Sequence, residues 1–125
     1  MIPSARRFPK GHRLLNAGDF RRVFAAVESR SSDRFLTLLV RSNGGNVPRI
    51  GFAISRKSIR RAVDRNRIKR VVREAFRMHG RLLPAWDIVV MARNPAATAD
   101  NAALSHSLNG HWSYLLKRCA VRSSQ

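Results

Sequence analysis

"RNRIKRVVREAFR", Arg65 to Arg77, packs six positive charges and one negative into thirteen residues, yet also carries Ile68, Val71, Val72, Ala75 and Phe76. Winding it at 100° per residue and continuing to Leu83 resolves the contradiction. Ile68, Val71, Val72, Ala75, Phe76, Leu82 and Leu83 fall in one arc. Asn66, Arg70, Arg73, Arg77 and Arg81 fall opposite, with Arg65 and Lys69 on one shoulder and Arg67 on the other. The spacing predicts a helix that starts between Ala62 and Arg65. One side is made for a core, and the other displays a row of guanidinium groups.

The row lowers stability. Like charges at i,i+4 are unfavourable by about 0.2–0.5 kcal/mol per pair, and cations in the first turn oppose the helix dipole. Only Glu74 relieves them nearby. From Asn66 to Arg77 the row runs about 17 Å at a rise of 1.5 Å per residue, the reach of a few successive phosphates. The plain alternative is a solvated basic face with no target.

The charge of the whole chain weighs against that alternative. Its 125 residues hold 25 Lys plus Arg against 7 Asp plus Glu, a net charge of +18. Such a surface repels itself unless a polyanion neutralises it. Twenty-one of the 25 cations are Arg, whose planar fork suits phosphates and stacks on bases. Nucleic acid is the first candidate partner and an acidic membrane surface the second. The membrane is disfavoured because the row lies opposite a core face, not a lipid-inserting one.

Outward from the helix, "RIGFAIS" (49–55) reads as a strand with two unlike faces. Ile50, Phe52 and Ile54 form a core face. Arg49, Gly51, Ala53 and Ser55 form a small, polar one, which either leaves room for a ligand or accepts a closely packed helix. "RFLTLLV" (34–40) reads as the strand before it, "SNGGN" (42–46) as the turn from which 49–55 returns, and "WDIVVMA" (86–92) as a later strand. "NAGDFRRVFAAV" (16–27) reads as a short helix capped by Asn16, with Asp19 in its first turn and Phe20, Val23, Phe24 and Val27 on one stripe. A last helix is expected from about Ala99 to Cys119, with Leu104, Leu108, Trp112, Leu115 and Cys119 aligned.

These elements predict an α+β fold: a two-layer α/β sandwich in the order α-β-β(-β)-α-β-α, on a small, mostly antiparallel sheet of about four strands. The expected organisation is an extended basic arm (1–13), one nucleic-acid-binding α/β domain (14–119) and a disordered tail (120–125). The single cysteine, Cys119, forbids an internal disulfide and fits a cytoplasmic setting. No apolar run reaches membrane-spanning length, and no apolar segment follows the basic N-terminus as in a secretory signal.

"RNRIKR" also resembles the protein component of bacterial ribonuclease P, a family with Arg-Asn-Arg, an aliphatic residue and Lys-Arg at the head of a basic helix. "FPKGHRLLNAGDFRRVF", "RIGFAISRK" and "WDIVVMARNP" are similar to the family's other blocks, in order, so that the resemblance covers Phe8 to Cys119. It implies a left-handed β-α-β crossover and a likeness to a domain of a small-subunit ribosomal protein. It implies a subunit of a ribonucleoprotein endonuclease that removes the 5′ leader of precursor tRNA. The catalyst would be a large RNA that requires Mg2+; the protein would be a monomer, one per RNA, binding no cofactor itself. Carried over by position, Arg65, Asn66, Arg67, Lys69, Arg70, Arg73 and Arg77 would face the catalytic RNA. Phe20, Phe24, Arg49, Ser55, Arg56 and Lys57 would form the leader cleft. Periodicity alone makes Phe20 and Phe24 core residues. Two departures stand out: Leu38 where some members have Tyr, and "SIRRA" (58–62), with Arg60 and Arg61, where many have Gly.

No protein catalyst is legible. His106 and His111 are five apart and do not share a helix face, and Asp64 and Glu74 read as intrahelical charge partners. His12, His79, His106, His111 and Cys119 have no zinc spacing. There is no G-x-S-x-G and no phosphate-cradling Gly loop. The remaining alternative is a structural RNA-binding protein of the ribosome or its assembly.

Overall fold

The computed structural model describes residues 16–123; the expected basic arm (1–13) lies outside the described residues. Helix α1 (Ala17–Ala25) begins at a capping box. The Asn16 side chain accepts from the Asp19 N–H at 2.9 Å, and the Asn16 N–H donates to the Asp19 carboxylate at 3.0 Å. Strands β1 (Ser29–Ser32), β2 (Leu36–Ser42) and β3 (Arg49–Phe52) follow, then helix α2 (Ala62–His79), strand β4 (Trp86–Ala92) and helix α3 (Asn101–Ser123). Short 3-10 turns occupy Gly80–Leu82 and Asn94–Ala97.

The sheet order is β1-β2-β4-β3. β2 and β4 are antiparallel neighbours at its centre, and both are buried along most of their length because both of their faces are covered. The strand at 49–52 does return after the turn, where Gly44 takes φ +70, but not to β2. It pairs in parallel with β4, which lies between them. The pairing is settled by the β3-α2-β4 crossover, a long-range event that a turn signal does not report.

Two clusters follow from strand alternation. Leu36, Leu38, Val40, Ile50, Ile88 and Val90 point to α2 and α3, where they meet Ile68, Val72, Phe76, Leu104, Leu108, Trp112 and Leu115. Leu39 and Val89 point the other way and meet Val23 of α1, with Phe20, Ala53 and Met91 at the margin. A helix therefore does pack on part of the small face, at Ala53.

Some boundaries differ from the expected ones for local reasons. Leu82 is 72% exposed, because α2 ends at His79 and the 3-10 turn that follows advances about 120° per residue instead of 100°. Val27 lies past the end of α1 and is exposed. β1, "SRSS", has no apolar alternation and pairs with β2 at an edge. The backbone of α3 continues to Ser123, into the expected tail.

Candidate RNA interface

The exposed side of α2 is the first part of the interface. Ile68, Val71, Val72 and Phe76 anchor the helix, so the residues opposite them are held outward. Asn66, Arg70 and Arg73 are exposed. Asn66, Lys69 and Arg70 have neither a side-chain hydrogen bond nor an ion pair among the described residues. The Arg73 guanidinium sits 5.3 Å from the centroid of Phe52, an attractive cation–π contact that fixes it at the junction of α2 and β3. Arg77 pairs with Glu74.

The flanking arginines behave differently. Arg65 donates from Nη1 to the carbonyls of Ile59 and Arg60 at 2.8 and 3.0 Å. Arg67 donates from Nη1 to Asn101 Oδ1 at 2.9 Å and from Nη2 to the carbonyls of Ala97 and Ala96 at 3.2 and 3.4 Å. Both satisfy polar groups of neighbouring segments. Arg67 thereby ties α2 to the start of α3.

At the head of α2, Arg61 stands at the N-cap and supplies no capping hydrogen bond. Lys57, Arg60 and Arg61 surround a cavity of about 630 Å³, completed by Ser58, Asp64, Asn94 and Ala97. Lys57, assigned to the leader cleft, thus stands beside the head of α2. Ser55 closes the intervening turn, accepting from the Ser58 N–H at 3.0 Å. Ser55 and Arg56 are exposed. Arg60 and Arg61 were absent from the candidate residues; their proximity to Lys57 in a charge run was the available signal.

The second part lies between α1 and the sheet. Phe20 and Phe24 have ring centroids 6.5 Å apart and planes 19° apart. Phe20 packs at the edge of the Val23–Leu39–Val89 cluster, whereas Phe24 is 49% exposed. Ala53 meets the same cluster, and the chain runs from it to Ser55, Arg56 and Lys57.

Arg49, also assigned to the cleft, is occupied by the protein. Its Nε and Nη2 grip the Asp87 carboxylate at 2.8 Å each, and Nη2 reaches Asp19 at 3.3 Å. Asp19 and Asp87 are only 1% and 4% exposed. Burial alone would raise the Asp19 carboxyl, but the Asn16 N–H, Arg49 and Arg22 together hold it below the usual carboxylate range. The hydrogen bond from Arg49 to Asp87 correspondingly pushes the guanidinium up. This clamp sets α1 on the sheet. The sequence signal for it was Asp87, a lone carboxylate inside an apolar strand.

No group of three or more His, Cys, Asp or Glu among the described residues could hold a metal ion. Ser31, His111 and Asp33 do meet: Ser31 Oγ lies 2.6 Å from His111 Nδ1, and His111 Nε2 lies 3.3 Å from Asp33 Oδ2. The residue types are those of a nucleophilic triad, but the arrangement is structural. Ser31 is buried, and the Asp33 carboxylate accepts from Ser107 Oγ and from the Phe35 and Leu36 N–H groups. Burial pushes His111 below the ordinary imidazole range, against the opposing pull of Asp33.

A family model described as Ribonuclease P matches residues 8–116. The ribonuclease P protein component of Methylococcus capsulatus is 51% identical over 117 residues, covering 94% of this chain and 91% of that one. Its counterpart in Chromohalobacter salexigens is 48% identical over 110 residues, covering 88% and 86%. Among solved structures, the RNase P protein of Staphylococcus aureus superposes with a TM-score of 0.77 at 30% identity, covering 85% of this chain and 96% of that one. The RNase P protein of Thermotoga maritima gives 0.70 at 31%, covering 86% and 96%.

Proposed function

The chain belongs to the family of ribonuclease P protein components, and from that premise we propose a division of labour within the holoenzyme. As the protein component of an endoribonuclease of tRNA processing, it has the ribonuclease P RNA and the tRNA substrate as partners. The RNA subunit carries out phosphodiester hydrolysis. The α2 row, chiefly Asn66, Lys69, Arg70 and Arg73, binds that RNA, and the cations at 56, 57, 60 and 61 extend the contact past the head of the helix. The 5′ leader lies between α1 and β3, where exposed Phe24 offers a base a stacking surface worth about 1–3 kcal/mol. One protein serves one RNA, in the cytoplasm. Mg2+ ions rest on RNA phosphates; the described donor set suits this, since Asp19 and Asp87 are taken by Arg49.

The observation that carries this reading is the exposed, carboxylate-free Arg70 and its neighbours, held outward by a buried opposite side. No helix among the described residues is long and apolar enough to cross a membrane. The test is cleavage of a precursor tRNA by a bacterial ribonuclease P RNA at low magnesium, with and without the chain. Stimulated cleavage at the mature 5′ end is expected. Tight, salt-sensitive RNA binding without stimulation would overturn the reading.

A further inference from the structure

Helix α3 is two-sided, as α2 is. Leu104, Leu108, Trp112 and Leu115 are buried in the main core, while His106, Gly110, Tyr114 and Arg118 follow one another at intervals of four on exposed positions. The first three of these border a groove of about 530 Å³ between α3 and the edge strand β1, and Arg118 lies one turn beyond it. Arg30 and Ser32 of β1 form one wall, and His106, Gly110 and Tyr114 form the other.

Three features of the groove lie outside the cleft and the α2 row. Tyr114 is 46% exposed and belongs to neither core cluster. The Arg118 guanidinium lies 5.7 Å from its ring centroid, with Nη1 3.4 Å from the hydroxyl. Gly110, one turn earlier, has no atom of the described residues within 4 Å of where a Cβ would stand, so they leave the approach along the helix open. Arg30 is exposed and has no ion pair among the described residues. The only carboxylate on the walls among the described residues, Asp33, is bonded by Ser107 and two backbone N–H groups, and buried His111 lies beside it. Its charge is thus largely answered from within the protein.

We propose that the β1–α3 groove is a further RNA subsite that takes one unpaired nucleotide, with its base against Tyr114 and its phosphates near Arg30 and Arg118. An aromatic ring with guanidinium groups around it fits the π-face of a base together with a phosphate, and is tolerant of sequence. An unpaired nucleotide suits it better than a duplex, because a paired base keeps its faces stacked and cannot lay one against Tyr114. The position is independent of the α2 row. α3 packs on α2 as well as on β1 and β2, but the groove opens on its β1 side, and β1 lies at the opposite edge of the sheet from β3. The inference rests on the chain's partnership with RNA, and the nucleotide belongs either to the catalytic RNA or to the substrate.

The test uses the full chain, first titrated against the ribonuclease P RNA and then, as holoenzyme, against precursor tRNA. The variants are Tyr114→Ala, Tyr114→Phe and the double Arg30→Ala/Arg118→Ala, with melting curves to verify folding. Tyr114→Ala is expected to weaken one titration about tenfold while Tyr114→Phe retains binding. The arginine pair is expected to lower the log–log salt slope by about 1.4–1.8. Loss in the first titration assigns the nucleotide to the catalytic RNA; loss in the second alone assigns it to the substrate. Wild-type affinity of Tyr114→Ala in both, or an equal loss for Tyr114→Phe, overturns the proposal. Arg70→Ala/Arg73→Ala run in parallel separates the two ideas. If that variant loses affinity and the groove variants do not, the α2 reading stands alone.

Discussion

Arg49 and Arg70 are the same residue in opposite circumstances. Arg49 holds two buried carboxylates, one from α1 and one from β4, and so joins a helix to the sheet. Arg70 lies on the exposed side of a helix whose one nearby acid, Glu74, pairs with Arg77 instead. With 7 acids for 25 Lys and Arg, the fold neutralises only a few cations, and where it places those acids separates structural arginines from available ones. The same division runs inside the Arg-Asn-Arg motif. Arg65 and Arg67 donate to carbonyls and to Asn101, while Asn66 between them is exposed.

The comparison breaks most visibly at the clamp. Asp87→Asn should destabilise the protein by about 2–4 kcal/mol, because it strips the main partner from a guanidinium two-thirds buried. Urea unfolding measures it, and the salt dependence of RNA binding should stay at the wild-type slope. Arg70→Ala/Arg73→Ala should do the reverse. Stability should hold within about 0.5 kcal/mol, since loss of the Phe52 contact is offset by relief of like charges. Affinity for the ribonuclease P RNA should fall at least tenfold, with the log–log salt slope reduced by about 1.4–1.8.

Arg67→Ala sharpens the boundary. If its fan of hydrogen bonds is its whole role, it should cost about 1 kcal/mol of stability and leave the salt slope unchanged. A slope reduced by about 0.8 would return it to the RNA-facing group. The two phenylalanines form a smaller version of the same contrast. Phe20→Ala should lower the melting temperature, whereas Phe24→Ala should spare it and weaken leader-bearing substrate about fivefold relative to mature tRNA. Equal loss on both substrates by Phe24→Ala would remove it from the cleft.

The smallest expected effect is on pH. His111 has a folded-state pKa below its ordinary 6.5, so the unfolded chain takes up the proton first. Stability should begin to fall as pH drops below about 6.5, and His111→Gln should flatten that limb. Asp19 and Asp33, both held below 3.8, contribute stability that is lost only in stronger acid. Thermal melts from pH 8 to 3 separate the two limbs.

The sequence by itself determined the two-sidedness of α2, the capped start of α1, the buried stripe of α3 and the partner's charge. Each is written in residues a few positions apart, where the helical period converts spacing into a face. It also carried the family blocks. Tertiary structure alone decided the rest. β1 has no apolar pattern to announce it, because an edge strand of serines is specified by β2 beside it. β3 pairs with β4 and not β2, because the α2 crossover inserts a strand between them. Arg49 leaves the set of available cations because Asp19 and Asp87, 30 and 38 residues away, converge on it. Whether an arginine binds the fold or is left for a ligand depends on which carboxylates and carbonyls come within about 3 Å of it, and chain closure sets that distance.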